Sequence, residues 1–268
     1  MKKNRVIPVL LLKNGWLVQS KQFSRHPNLG NPITAVKRLS EWGSDELIYL
    51  DISRDDNYDM RRDDLGHPNR GSIFEILADV SHQAFMPITI GGRIRTLADI
   101  ETRLALGADK IAINTAAIDD PEFVGQAAKE FGAQCIVVSV DVKIIDEQYR
   151  VMRGGKAEAT QWTALEWVQR LEQLGAGEIL LNSIDRDGMK NGYDLPLLDQ
   201  VSSAVKIPVI ACGGVGEWNH FAEALQQTKV DAVAAANIFH YVDQSVYLAK
   251  KHLFEAGLNV RSPELLQI

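Results

Sequence analysis

Short, nearly unbroken hydrophobic runs rich in β-branched residues punctuate this chain from end to end. They fall at 5–11, 47–52, 86–90, 110–114, 134–141, 178–183, 207–212 and 231–236. A strand that is apolar at every position is buried on both faces, as strands of a parallel sheet are. Between these runs apolar residues recur at helical spacing, with legible ends. Asn31 reads as an N-cap with Pro32 behind it, Ile33, Val36 and Leu39 make one stripe, and Gly43 closes the helix. Thr96 with Asp99 reads as a capping box ended by Gly107, and Asp120-Pro121 opens another helix. A further helix starts near Thr163, carries Leu165, Val168 and Leu171, and stops at Gly175. Two segments, 53–72 and 143–160, are too long for simple connections. The first is densely charged, with most of its charges read as solvated and one turn at Gly66-His67-Pro68; the second contains Arg153-Gly154-Gly155-Lys156.

The pattern also repeats itself. Pro87-Ile88-Thr89-Ile90-Gly91-Gly92 is echoed by Pro208-Val209-Ile210-Ala211-Cys212-Gly213-Gly214, and Asp109 to Asn114 by Asp231 to Ala236, about 122 residues further on. Glu46 to Leu50 answers to Glu178 to Asn182. Eight strands alternating with helices, in two similar halves, predict an α/β fold: one closed (β/α)8 barrel with half-barrels of about 1–130 and 131–268. An open doubly wound sheet is the competing arrangement, and the repeat argues against it. The halves disagree at one place. The run Cys135 to Asp141 ends in a carboxylate, whereas Val6 to Leu12 ends in leucines.

Composition changes this picture little. The 268 residues are 46% hydrophobic and 24% charged, enough for a sizeable core in one large domain. A net charge of −6 and a pI near 5.6, with no concentrated basic stretch, argue against nucleic acid. The longest apolar run is too short to span a membrane, and no secretory h-region follows the charged N-terminus, so a cytoplasmic protein is expected. The two cysteines, Cys135 and Cys212, sit in apolar runs and read as small buried hydrophobes, not as a disulfide or a metal site. No cofactor or metal site is read in the chain.

Three sets of residues carry candidate chemistry. Gly91-Gly92-Arg93 and Gly213-Gly214 lie between strand ends and helix starts, where backbone N–H groups can hold an anion. Asn114 and Thr115 fall beside the first cluster; Ala236 and Asn237 join the second, and Asp187-Gly188 closes that pocket. Taken singly, either glycine cluster is as readily a pair of tight turns. Asp51, Asp141 and Asp185 fall at or just past strand ends, placed for proton transfer or for binding hydroxyls together with Asn182. Asp51 and Asp185 read as structural acids more readily than Asp141, whose apolar run predicts a raised pKa. At the opposite end, Arg5, Glu46, Lys110 and Glu178 start strands one, two, four and six, and two positive and two negative charges can close a ring across the floor.

The segments ADKIAINTAA, FGAQCIVVSVD, GAGEILLNSIDRDGMKNGYDL, IPVIACGGVG and AAANIFH together resemble the cyclase (synthase) subunit of imidazole glycerol phosphate synthase, a glutamine amidotransferase of histidine biosynthesis. The likeness runs through essentially the whole chain. It implies a barrel that receives ammonia from a separate glutaminase subunit docked at its floor, through a gate matched here by Arg5, Glu46, Lys110 and Glu178. It also implies a phosphorylated small-molecule substrate at the mouth, a bisphosphorylated ribonucleotide that is cleaved and cyclised. The mouth departs from that pattern. Asp141 matches one of the family's two acid/base aspartates, but Leu11 stands at the other. Arg93 replaces a third glycine, Asn237 a small hydroxyl residue and Gln19 a lysine. The favoured expectation is therefore a paralogue that keeps the ammonia conduit but serves another acceptor. A sugar amidine or amide of surface-polysaccharide (O-antigen) synthesis, made with a third, sugar-modifying ligase, fits that expectation. The alternatives are a histidine-pathway cyclase, a noncatalytic adaptor that activates the glutaminase, and a phosphoribosyl isomerase on a sister barrel.

Overall fold

The computed structural model describes residues 3–54, 58 and 70–266. Eight strands, β1 (Arg5–Lys13), β2 (Leu47–Asp51), β3 (Ile88–Gly91), β4 (Lys110–Ile113), β5 (Ile136–Ile145), β6 (Glu178–Ser183), β7 (Val209–Cys212) and β8 (Ala232–Ala235), pair in parallel in chain order. β8 returns to β1, with Arg5 opposite Ala232, so the sheet closes on itself. Helices follow the strands and pack outside them. The (β/α)8 barrel expected from the run-and-repeat pattern is the fold. No described helix is long and apolar enough to cross a membrane.

The expected caps form. Asn31 accepts from the Ile33 N–H at the head of the helix Pro32–Glu41. Thr96 and Asp99 make a reciprocal capping box, and Thr163 makes another with Glu166. Asp120 accepts from the Glu122 N–H where the helix Glu122–Phe131 begins behind Pro121.

Strand side chains alternate between the two faces of the sheet, and here the two faces bury different cores. The outward residues, such as Val6, Leu10, Tyr49, Ile90, Ile113, Val140 and Leu181, pack under the helices. The inward residues Ile7, Val9, Ile48, Ala112, Val137, Leu180, Ile210, Ala232 and Ala234 fill the barrel, with Leu11, Leu50, Cys212 and Ala236 packed on them from above. The same parity fixes both ends of the bore. Counting down from Leu11 reaches Arg5, and counting down from Asp141 passes Ser139 and Val137.

Two expectations need revision. The segment 143–160 is not an irregular loop. β5 runs on to Ile145 and continues as a hairpin, Gln148–Arg153 against Glu158–Thr163, which meets β5 antiparallel. Cys135 lies in a short 3₁₀ turn, Ala133–Cys135, ahead of β5 instead of inside a strand, and Cys135 and Cys212 are free thiols of intermediate exposure. Most of 53–72, including the turn at Gly66-His67-Pro68, lies outside the described residues.

Candidate functional site

At the floor the four charged residues meet. Arg5 donates to Glu46 at 2.6 Å and to Glu178 at 2.9 Å, and Lys110 donates to the other oxygens of Glu46 and Glu178 at 3.0 and 3.1 Å. Each cation thus bridges both anions, and each anion both cations. The side chains keep only 9–17% of their exposure, so the ring closes the bore beneath the interior cluster. Burial alone would lower the pKa of Arg5, but the charges of Glu178 and Glu46 outweigh it and the net shift is upward. Two guanidinium nitrogens of Arg5, Nε and Nη2, are buried without a partner among the described residues.

At the mouth the inward residues include Leu11, Leu50, Asn114, Asp141, Asn182, Cys212 and Ala236. Asp141 is 6% exposed, and the Asn114 amide donates to its Oδ2 at 2.8 Å. Burial pushes the Asp141 carboxyl up to about 7; side-chain hydrogen bonds from Asn114 and Asn182 only partly offset it. Among the described residues no cation is paired with it. Burial, followed by the charges of Asp187 and Asp141, also pushes the Cys212 thiol up to about 12, so it stays protonated. Leu11 is half-buried against the interior aliphatics and contributes no titratable group.

The other two acids face away from the bore. Asp51 is at an outward position of β2, where its Oδ2 accepts from Arg93 Nη2 at 2.8 Å and from the Tyr58 hydroxyl at 2.9 Å. Asp185 accepts from the Ile144 N–H. The Arg93 guanidinium is therefore already engaged by a carboxylate of its own chain, with its side chain 10% exposed. Gly92 adopts φ +106°, and a Cβ there would lie 2.2 Å from the Asp51 carbonyl oxygen, which is reason enough for glycine at that turn. Gly91 packs against Leu50 and Ala112. Asn114 turns its amide towards Asp141, and Thr115 opens the short helix Thr115–Asp119.

On the opposite side the second cluster is covered by a part of the chain whose strand signal is a single three-residue apolar run. Residues 16–18 and 28–30 pair as a hairpin after β1, and its tip reaches across to β6 and β8. Asp187 accepts from the Ser20 hydroxyl at 2.6 Å and the Phe23 N–H at 3.2 Å, while its carbonyl takes the Gln22 N–H. Asn237 donates to the Ser20 carbonyl at 2.9 Å, and Lys156 to the Gln22 carbonyl at 3.1 Å. Gly188 passes so close to Ser20 that a Cβ would meet its carbonyl oxygen at 2.4 Å. Gly214, at φ +107°, abuts the Gly192 carbonyl in the same way, and Gly213 lies against Asn182 and Ser183. The hairpin was missed because its strands are only three residues long. The run Trp16-Leu17-Val18 was its one available signal.

Residues 5–245 match the histidine biosynthesis protein family. The chain belongs to that family. It is 42% identical over 259 residues to imidazole glycerol phosphate synthase subunit HisF of Geobacillus kaustophilus (strain HTA426), covering 96% of this chain and 98% of that one. The likeness therefore extends over both ends of the barrel and both halves. It favours the cyclase lineage as a whole over the narrower expectation of a surface-polysaccharide paralogue.

Proposed function

We propose that this chain is the ammonia-accepting synthase subunit of a glutamine amidotransferase, supplied by a separate glutaminase subunit seated at the barrel floor. One observation carries the reading. A closed ring of four ions at one end of the bore and a buried inward carboxyl of raised pKa at the other are joined by an interior lined mainly with aliphatic side chains. Ammonia is small and neutral, so such a lining passes it without the desolvation cost an ion would meet. Asp141, titrating near 7, is suited to take a proton from the attacking nitrogen and to return it to a leaving group.

The kinship with imidazole glycerol phosphate synthase favours that enzyme's own reaction: ammonia reacts with a bisphosphorylated ribonucleotide, which is cleaved and cyclised. A second reading is favoured by Leu11 and Arg93. With an aliphatic residue in place of the second acid, and Arg93 engaged by Asp51, a bisphosphate meets a mouth altered on one side. A different acceptor, such as a nucleotide sugar aminated with a third ligase, would need only one carboxyl. The test is to supply the chain with ammonium and the bisphosphorylated ribonucleotide and to follow imidazole glycerol phosphate. Product from the natural sequence supports the cyclase reading. Product only after Leu11→Asp supports the reassigned acceptor, and amination by the full complex that survives Asp141→Asn reduces the chain to an adaptor.

A further inference from the structure

The two asparagines beside Asp141 have opposite ends in very different situations. A carboxylate only accepts hydrogen bonds, so each amide must turn its NH2 group towards Asp141. Asn114 does so at 2.8 Å, and Asn182, paired in register with Asp141 on the neighbouring strand, supplies the second side-chain bond. Each amide thereby commits one of its two N–H donors to Asp141. Their two carbonyl oxygens, Asn114 Oδ1 and Asn182 Oδ1, are both buried and have no hydrogen-bond partner among the described residues. Asn182 Oδ1 lies only 2.9 Å from where a Cβ of residue 213 would stand, so Gly213 keeps the space before it open. A buried acceptor without a donor is costly, and two of them flanking one carboxylate at the top of an aliphatic interior ask for a ligand made of N–H groups.

We propose that Asn114 Oδ1, Asn182 Oδ1 and the Asp141 carboxylate form a seat for ammonia where the barrel interior meets the mouth. Ammonia has three N–H donors and one lone pair. With its donors taken by these three acceptors, the lone pair is left for the acceptor's electrophilic carbon, so the seat orients the nucleophile as well as holding it. Three oxygens suit hydrogen bonding to nitrogen but are too few to strip and coordinate a potassium ion, which has the size of ammonium and no hydrogens. Below the seat the lining is mainly aliphatic, with Leu180, Val137 and Ile210, broken by the inward hydroxyl of Ser139 two residues below Asp141. Asn114 and Asn182 are thus positioning residues for the arriving nitrogen. The direction of arrival rests on the proposed function; the seat itself does not.

The test uses the whole chain labelled with ¹³C at aspartate, with the Asp141 carboxyl resonance assigned through Asp141→Asn. Ammonium chloride is expected to shift that resonance saturably, whereas potassium chloride is not. Asn182→Leu, which keeps the volume and removes the acceptor, is expected to raise the half-saturating ammonium concentration about ten-fold, as loss of one hydrogen bond to a charged group does. Asn114→Leu should act alike, and the ammonium–potassium contrast in the natural sequence needs no variant to fold. Equal responses to the two cations, or an unchanged half-saturation in folded Asn182→Leu, would overturn the seat. Glutamine-dependent amination without any ammonium response sinks the seat and leaves the proposed function standing. An ammonium response in a chain that never aminates with a glutaminase does the reverse.

Discussion

The two ends of this barrel bury ionisable groups at similar depth and treat them in opposite ways. At the floor, two cations and two anions share every charge in a closed ring, so burial is offset by opposite charge within 3.1 Å on every side. At the mouth, Asp141 has two amides and no described cation, and burial wins: its carboxyl rises to about 7. Low polarity alone therefore does not decide whether a buried group is charged. The partners do. The floor is held fixed by its mutual ion pairs, and the mouth is arranged to change protonation state near neutrality.

Removing the buried carboxyl that faces the bore at the mouth is the most damaging change expected. Asp141→Asn keeps the shape and the neighbouring amides but leaves nothing to take a proton, and a positioned acid or base is worth about 10²- to 10⁴-fold in rate. Glutamine-dependent amination by the complex with glutaminase should fall by that factor while the thermal midpoint does not drop. At the floor the expectation is the reverse. Glu178→Gln leaves Arg5 and Lys110 sharing one glutamate, and breaking a buried ion pair from one side costs roughly 3–5 kcal/mol. Urea denaturation should show the loss. Amination fed by external ammonium should survive better than amination fed by glutamine. If both sources fall equally, the floor is structural only.

A pH series sharpens the contrast without any mutation. The folded carboxyl of Asp141 titrates at about 7, against the ordinary aspartate value of 3.8 that holds in the unfolded chain. Between those values the folded state binds the extra proton, so stability falls as pH rises through this window and the loss is complete above about 7. The shift corresponds to roughly 4 kcal/mol at most. Asp141→Asn should flatten that part of the stability–pH curve and be the more stable protein at pH 8. Activity should run the other way, with kcat/KM, expressed per free ammonia, rising with the ionised fraction through pH 7.

How much of this was legible beforehand depends on side-chain parity. The strands and the barrel were written in the hydrophobic runs because strands buried on both faces leave no polar alternation to obscure them. The floor quartet was equally plain, since Arg5, Glu46, Lys110 and Glu178 each open an apolar run. The mouth was harder. Asp51 and Asp141 look alike as acids at strand ends, yet Asp51 sits one residue past the inward Leu50 while Asp141 is itself inward. Counting inward positions from the floor charges separates them, and it also picks out Asn182. What no count reveals is the hairpin after β1. Its strands are too short to show a period, and its position depends on Asp187 and Asn237, some 167 and 217 residues away from Ser20.

That hairpin supplies the smaller tests of the same contrast, because it too is held by a half-buried acid on one side and by an exposed cation on the other. Burial raises the pKa of Asp187, against the hydrogen bonds from Ser20, Phe23 and Gln22. Asp187→Asn should weaken the charge-assisted bonds and expose residues 19–26 to proteolysis and amide exchange several-fold faster, since bonds to a charged acceptor are worth about twice neutral ones. Lys156 reaches the Gln22 carbonyl and the Ser24 hydroxyl from an exposed position. Water replaces an exposed donor at little cost, so Lys156→Ala should change the same rates less than two-fold, within the roughly 0.5 kcal/mol of ordinary surface substitutions. Should Lys156→Ala instead release the hairpin as fully as Asp187→Asn, the hold would lie in surface charge, and the half-buried carboxylate under the hairpin would lose its special place.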